Sequence, residues 1–317
     1  MNELSQLFDT VRLFVFERLM QPVLFDAGLG NLLEDAYDGA GWLLMGLLQL
    51  AVMLTLWRAL ERWRPVEPVT DRAAVRTDIL FTLLHRLGAV RVLLFFGVEP
   101  WVQQAAGWLR IQGLPSVHID QWLPGVAERP LLSFLLYLLV FDFVDYLLHR
   151  GQHRWRWWWA LHAVHHSQRQ MTQWSDPRNH LADDVLRDVA FAGLALLIGV
   201  PPGHFLALTA LTQLIESLSH ANVRLDFGPL RHWLVSPHYH RLHHAVGLGH
   251  EGRQGQGSLG GCNYAVLFPV WDRLFGTARF DTGYFPTGIR DQASGRDYGR
   301  GFWSLQWRAV ARLFGRA

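Results

Sequence analysis

Histidine spacing is the most informative feature of this 317-residue sequence. Sixteen histidines occur in the chain, and half of them fall into three short motifs. The first motif has i, i+4 spacing, and the other two have i, i+3, i+4 spacing. We refer to the motifs as boxes one, two and three. They consist of His149 and His153; His162, His165 and His166; and His240, His243 and His244.

On a helix, residues at these spacings share one face, with Cβ atoms roughly 5–6 Å apart. Each box would therefore present its imidazoles in one direction, and three such faces together could enclose two metal ions. Neutral imidazole suits iron, zinc, copper and nickel, so spacing alone does not choose the metal. The HExxH motif of zinc proteases is absent, and so are the paired Glu-x-x-His motifs of soluble di-iron bundles. The sequence predicts a histidine-rich metal centre.

The composition excludes several other kinds of site. Cys262 is the only cysteine, so the chain can form neither an internal disulfide nor a cysteine-ligated zinc or iron–sulfur site. A net charge of +2 without a basic tract argues against a nucleic-acid partner. Because 50% of the residues are apolar and are concentrated in long stretches, the chain belongs to the membrane class.

Four apolar stretches predict an all-α, polytopic bundle of membrane helices. Residues 41–60 match the roughly 20 residues needed to cross a bilayer. Residues 78–98 form a second span, although it includes charges that are costly in lipid unless they face protein. Residues 131–148 form a third span, and 185–218 predict a helical hairpin that turns at Pro201 and Pro202. The N-terminal 21 residues predict an amphipathic helix rather than a signal peptide.

Arginine placement orients these spans. Five arginines lie between the first two spans and only two between the second and third, namely Arg58, Arg62, Arg64, Arg72 and Arg76 against Arg110 and Arg129. The positive-inside rule then places residues 58–77 and 149–184 in the cytoplasm. Because the hairpin returns the chain to the same side, residues from 220 onward are expected there too. All three boxes would form a cytoplasmic, di-metal cap.

Motifs across residues 131–280 resemble the fatty acid hydroxylase/sterol desaturase superfamily of membrane di-iron enzymes. An acid, Asp145, precedes the HRxxH-like first box, and the second box matches HxxHH. Further matching elements are Arg178-Asn179-His180, His220-Ala221-Asn222, Pro237 to His244, Asn263-Tyr264 and Trp271 to Thr277. Gly261 departs from the pattern, because the family often has an aspartate at that position. The resemblance makes 131–280 the catalytic domain, between N-terminal membrane helices at 1–130 and a C-terminal tail at 281–317.

The resemblance implies two iron ions that activate O2 to hydroxylate or desaturate a lipid, with zinc as a substitute metal. It implies the eight box histidines and His220 as ligands. His180 is a ligand, a partner of a ligand, or a helix-surface residue. No haem module, flavin fingerprint or iron–sulfur cysteines occur in the sequence, so a separate ferredoxin or cytochrome is the expected electron donor.

Several polar residues are candidates for supporting the ligands. Metal-bound imidazoles usually donate their second ring N–H to an acceptor. Asp145 lies four residues before His149, and Glu216 lies four before His220, so both carboxylates are expected to accept such bonds. Asn263 is expected near the metals through a water. Two further aspartates have structural interpretations: Asp142 would form a cap or pair with an arginine, and Asp272 would pair with an arginine in the closing helix.

Two segments beside the boxes have separate interpretations. The tryptophan-rich run 155–159 favours an anchor at the membrane interface, with stacking on a substrate as the alternative. The glycine-rich stretch 247–261 predicts a flexible loop.

Two other functions compete with lipid oxidation. A membrane metal-binding or metal-transport protein would also need clustered histidines, although transport favours ionisable residues at mid-span. A non-catalytic relative of the superfamily is the other alternative, but all three boxes are intact.

The second box provides a direct test. We expect His165→Ala to abolish lipid oxidation, because it removes a ligand, while membrane insertion is unchanged. Activity is measured on membranes with matched protein content. Full activity in the variant would show that box two is not a ligand set.

Overall fold

The computed structural model describes residues 3–114, 117–255 and 258–316, and the regular secondary structure in those ranges is helical. No β-strand occurs in them, only two isolated bridges, so the predicted all-α class is confirmed. The helices are α1 Glu3–Val15, α2 Gln21–Asp26, α3 Leu33–Val52, α4 Arg58–Trp63, α5 Arg72–Arg86, α6 Ala89–Gly97, α7 Glu99–Ile111, α8 Pro130–Arg154, α9 Arg156–His166, α10 Leu181–Ile198, α11 Pro202–Ser219, α12 Pro237–His243, α13 Val270–Leu274 and α14 Phe302–Leu313.

Within the described ranges, two helical segments are long and apolar enough to cross a membrane, Gly30–Trp63 and Pro130–Arg154. They contain the predicted spans 41–60 and 131–148. The predicted span 78–98 is divided into α5 and α6, bent by 53° at Gly88, whose positive φ of 86° breaks the helix. A third crossing follows only if this bent pair counts as one span. These helices indicate an integral membrane protein.

The predicted hairpin is confirmed as a pair of helices, α10 and α11. The turn lies where the prolines predicted it, because Gly199 ends α10 with φ of 67° and Pro202 begins α11. Among the described residues, neither helix qualifies as a membrane span by length and hydropathy. At the other end of the chain, the predicted N-terminal helix is α1.

Two hydrophobic clusters fix the helices that carry the boxes. The first joins α8, α10 and α11 and includes Tyr137, Leu138, Ile198 and Leu208. The second joins α5, α9 and α14 and includes Phe81, Leu161, Val164, Leu305 and Ala309. Burying each large apolar side chain contributes about 1.5–3 kcal/mol. The segment 281–317 therefore contains a helix, α14, that supports box two.

Buried polar contacts tie the histidine-bearing cap to the membrane helices. The guanidinium of Arg178 pairs with Asp78 of α5 at 2.7 Å, and both side chains are buried. Asn222 accepts hydrogen bonds from the backbone N–H groups of Val66 and Glu67. A buried charge is strongly destabilising without its partner. Arg178 and Asn222, which belong to two of the resemblance motifs, thus hold the cap in place.

Close helix packing at Gly46 gives a stability prediction. A Cβ atom at Gly46 would lie 1.7 Å from the backbone oxygen of Arg86, so Gly46→Ala must separate α3 from α5. We expect a loss of about 1–3 kcal/mol, typical of overpacking, measured as a lower Tm in detergent. Gly39→Ala is the matched control in α3, because its Cβ would meet nothing within 4 Å. An equal Tm for both variants would contradict the packing.

Candidate metal centre

The three boxes and His220 come together in two groups of histidines. Box one lies on the last turns of α8, box two ends α9, box three lies on α12 and its C-terminal cap, and His220 caps α11. Within each group, one nitrogen of every ring lies within 4.8 Å of the others, and every member is buried. The first group is His149, His153, His162, His166 and His243; the second is His165, His220, His240 and His244.

Boxes two and three are each shared between the groups. His162 and His166 face the first group, whereas His165 between them faces the second. Box three divides in the same way, with His243 in the first group. Rings of the two groups are in contact, since the centroids of His166 and His244 are 4.3 Å apart. Two ions held here would share the same two short helices.

The spacing of the ring nitrogens fits a metal ion. In the second group the Nε2 atoms of His165, His220, His240 and His244 form successive contacts of 3.1, 3.0 and 3.1 Å. In the first group, Nε2 of His166 and His243 are 3.1 Å apart. Ligands at right angles around an ion, with metal–nitrogen bonds of about 2.0–2.1 Å, have nitrogens about 3.0 Å apart. The buried Nε2 atoms of His149, His153 and His162 have no hydrogen-bond partner among the described residues.

Backbone carbonyls fix the opposite nitrogen of four rings. Nδ1 of His149, His153 and His243 donate to the carbonyl oxygens of Tyr264, Gly260 and Cys262, at 2.8, 3.2 and 2.8 Å. Nδ1 of His220 donates to the Glu216 carbonyl at 2.8 Å. With the proton on Nδ1, each Nε2 directs a lone pair toward its group, as a metal ligand requires.

A carboxylate supports a fifth ring. Asp183 lies 3.1 Å from Nδ1 of His162 through one oxygen, and its other oxygen accepts from Gln152 and Trp158. Burial raises the pKa of Asp183, but the contacts with His162, Gln152 and Trp158 together lower it by more, so the pKa is below its usual value. Asp183 therefore carries a negative charge beside a ligand. Nothing in the sequence spacing connected Asp183 to His162.

Burial also favours the neutral form of five imidazoles in boxes two and three. Desolvation lowers the pKa of His165, His166, His240 and His244 well below the usual value, and neighbouring histidines add to the effect. For His243, burial lowers the pKa to about 3. Neutral rings keep the lone pairs that metal binding needs.

The expectation that the Asp145 and Glu216 carboxylates accept from His149 and His220 is wrong. One guanidinium nitrogen of Arg187 lies 2.8 and 3.1 Å from the two carboxylate oxygens of Asp145, while the Tyr264 carbonyl accepts the ring N–H of His149. A charge-assisted contact with a guanidinium is the stronger interaction, and it draws the carboxylate away from the ring. Glu216 supports His220 through its backbone oxygen, and its carboxylate lies 3.5 Å from Arg187.

Asn263 and Asp272 also differ from expectation, whereas Asp142 forms the expected cap. Asn263 adopts a positive φ of 57°, and its amide bonds Tyr239 and Arg279 backbone groups, so it shapes a turn rather than reaching a water beside the metals. Asp272 accepts from Tyr239, Thr277 and backbone N–H groups instead of an arginine. Asp142 caps backbone N–H groups at 267 and 268 and accepts from Trp271.

His180 lies outside both groups. It is the N-cap of α10, where its Nδ1 accepts the backbone N–H of Ala182 at 3.1 Å. Of the three alternatives, its place outside both groups argues against direct ligation, and its Nδ1 instead caps the helix next to Asp183. His250 belongs to no box, so sequence spacing did not identify it. Its ring is buried and stacks on Trp159, which contacts His153 and His166.

The tryptophan-rich run contains both exposed and buried residues. Trp155 and Trp157 are about half exposed, as an interface anchor requires, whereas Trp158 is buried against Asp183.

In the glycine-rich stretch, a Cβ at Gly261 would lie 2.1 Å from the Gly249 oxygen, which explains why no aspartate occurs there. Part of the predicted flexible loop, residues 256–257, lies outside the described residues.

Two cavities meet beside the second group. A cavity of about 20 Å³ is lined by five of the ligating histidines and by Asp145, Arg187 and Glu216. A larger cavity of about 190 Å³ lies between α3, α5, α6, α8, α10 and α11, and it shares those three charged residues. Its wall combines apolar side chains such as Trp42, Phe141 and Phe205 with several charged ones. The charged cluster around Arg187 therefore separates the larger cavity from the histidines.

Asp183 gives a prediction that does not depend on catalysis. We expect Asp183→Asn to lower metal affinity about 10–100-fold, because it removes the charge behind His162. Chelator competition on purified protein measures the change. Asp184→Asn is the control, since Asp184 pairs with His85 instead of a ligand. Equal affinity in both variants would remove Asp183 from the centre.

Comparison with known proteins matches the part of the chain that carries the boxes. The fatty acid hydroxylase family model matches residues 134–277. An ornithine lipid hydroxylase of Rhizobium tropici is 29% identical, over 68% of this chain and 62% of that protein. An alkylglycerol monooxygenase of Danio rerio is 33% identical, over 54% and 43%. A methylsterol monooxygenase of Arabidopsis thaliana is 27% identical, over 56% and 57%.

The chain spans less than two thirds of the length of these relatives. No solved structure is significantly similar to it. The matched segment holds all three boxes, the two histidine groups and the carbonyls that fix them. Residues 134–277 match the fatty acid hydroxylase family, and the resemblance of this segment to the fatty acid hydroxylase/sterol desaturase superfamily is confirmed.

Proposed function

We propose that the chain is a membrane-bound, non-haem di-iron oxidoreductase that uses O2 to hydroxylate or desaturate a lipid. The observation that carries this proposal is the convergence of nine buried histidines into two adjacent groups. Each group offers ring nitrogens at the separation expected around one transition-metal ion. We assign the five-histidine group to one iron and the four-histidine group to the other, with zinc as a possible substitute.

The names of the relatives support a lipid as the substrate. The relatives are a hydroxylase of ornithine lipids and monooxygenases of alkylglycerols and methylsterols. These substrates differ in their polar groups but share an apolar body. We transfer the general activity, oxidation of a lipid, and leave the individual substrate open.

The iron ions, when bound, would supply O2 activation and the oxidation of a C–H bond. The protein contributes position and water exclusion. Backbone carbonyls and Asp183 fix the rings, and burial shields them from water. We infer that a lipid enters the larger cavity and reaches the second histidine group past the Arg187 cluster, since the two cavities share that cluster.

We further propose several membrane crossings, with the boxes at the cytoplasmic face. The arginine distribution that orients the spans supports this arrangement. Electrons would come from a separate ferredoxin or cytochrome. A metal-binding or transport protein without redox chemistry remains the alternative, and it also uses clustered histidines.

The two functions differ in their products. Purified, iron-loaded protein is incubated with lipid extract, ¹⁸O2 and a reductant, and products are analysed by mass spectrometry. We expect a lipid that gains one ¹⁸O or loses two hydrogens, only when O2 and reductant are both present. His165→Ala is the control. Metal binding without any change in the lipids would support the alternative.

Filling the larger cavity tests the route of the substrate. Thr209 lines that cavity, whereas Leu211 on the same helix does not. We expect Thr209→Phe to raise KM for the lipid at least about tenfold, a loss of about 1.4 kcal/mol, with unchanged iron content. Leu211→Phe controls for the added ring at an exposed position. Equal KM values for both variants would place the substrate elsewhere.

A further inference from the structure

One short backbone segment, 260–264, lies directly behind the five-histidine group. Its carbonyl oxygens accept the ring N–H groups of His153, His243 and His149, at 3.2, 2.8 and 2.8 Å. No other short segment contacts three ligands of that group through the described hydrogen bonds. Whatever lies on the outer side of this segment is separated from those ligands by one layer of backbone.

The outer side of the segment faces a surface pocket of about 340 Å³, which we call the outer pocket. It is lined by Arg150, Arg154, Gly252, Arg253, Gly260, Gly261, Tyr264, Phe275, Gly276 and Thr277. It shares no residue with the two cavities beside the second histidine group. The outer pocket therefore approaches the metal centre from a different direction than the lipid route.

Glycine keeps the wall of the outer pocket thin. A Cβ at Gly260 would lie 2.7 Å from the Cα of Gly252, and one at Gly261 would lie 2.1 Å from the oxygen of Gly249. Packing therefore allows no side chain at either position. A visiting molecule in the outer pocket would lie against bare backbone, whose carbonyls are bonded to His153 and, through Tyr264, to His149.

The charge of the outer pocket is wholly positive. Three arginines line it and no carboxylate does. Arg150 and Arg253 donate to the Tyr146 hydroxyl and the Gly276 carbonyl, and none of the three forms a described ion pair. Arg154 and Arg253 are exposed. Unpaired surface charge of one sign accelerates association with a partner of the opposite sign.

We infer that the outer pocket is the docking surface for an acidic, one-electron donor protein. Electrons would reach the five-histidine group through the Gly260–His153 and Tyr264–His149 hydrogen bonds. This inference rests on the proposed function. One hydroxylation consumes one O2, two protons and two electrons, and yields the hydroxylated lipid and one water. Two donor molecules are each oxidised by one electron.

The thin wall favours a donor protein over an anionic lipid headgroup. A headgroup would need only the arginines, whereas electron transfer becomes faster as the separation between donor and acceptor falls. The glycine wall and the three ligand-bound carbonyls shorten that separation. They have no role in holding a phosphate.

Charge reversal tests the docking surface on the iron-loaded, full-length protein. The double variant Arg154→Glu/Arg253→Glu is compared with Arg110→Glu/Arg129→Glu, which changes the net charge equally at exposed positions outside the outer pocket. Stopped-flow spectroscopy measures reduction of the oxidised protein by two pre-reduced acidic carriers, a [2Fe–2S] ferredoxin and a cytochrome b5. Dithionite reduction and iron content are measured in parallel.

We expect the outer-pocket variant to be reduced at least about tenfold more slowly by whichever carrier reduces the wild type faster, with unchanged dithionite reduction and iron content. The control variant should match the wild type. Equal rates for the two variants, or no reduction of the wild type by either carrier, would overturn the inference. The inference would also be overturned if the outer-pocket variant lost binding to phosphatidylglycerol vesicles but kept the wild-type rate of reduction by the carriers. Failure of dithionite-reduced wild type to oxidise any lipid would instead reject the proposed function.

Discussion

Nine imidazoles lie together in one buried region, and ring nitrogens of six of them meet at 3.0–3.1 Å. Lone pairs that converge without enough protons between them repel one another, so this arrangement requires a cation to be stable. It also requires the opposite edge of each ring to be held. Backbone carbonyls at Gly260, Cys262, Tyr264 and Glu216 do this for four rings, and Asp183 does it for His162.

Much of the remaining structure serves that requirement. The 260–264 backbone must stay in register with α8 and α12, and Asp272 achieves this by accepting from Tyr264, Ala265 and Tyr239 together. Asp142 fixes the next residues to α8. Box two is supported from outside by α14 and from below by the Arg178–Asp78 pair. Residues far apart in sequence thus fix the orientation of the histidine ring nitrogens together.

The sequence predicted the features that depend on local geometry. Helical i, i+3, i+4 spacing placed each box on one helix face, and prolines located the turn between α10 and α11. It failed where partners come from distant segments. The i, i+4 spacing predicted a bond between Asp145 and His149. Instead, a guanidinium from α10 binds the carboxylate, and a carbonyl 115 residues away accepts the ring N–H of His149. Asn263 and His250 depend on loop packing, which has no periodic signal.

The central claim, two metal ions on histidine nitrogen, is tested most directly by the iron content and iron X-ray absorption of the purified, iron-loaded wild-type protein. The arrangement of the two groups predicts two irons per chain, each with a nitrogen-dominated shell that includes several imidazoles. A single, easily removed iron per chain, or a shell dominated by sulfur or by carboxylate oxygen, would contradict it.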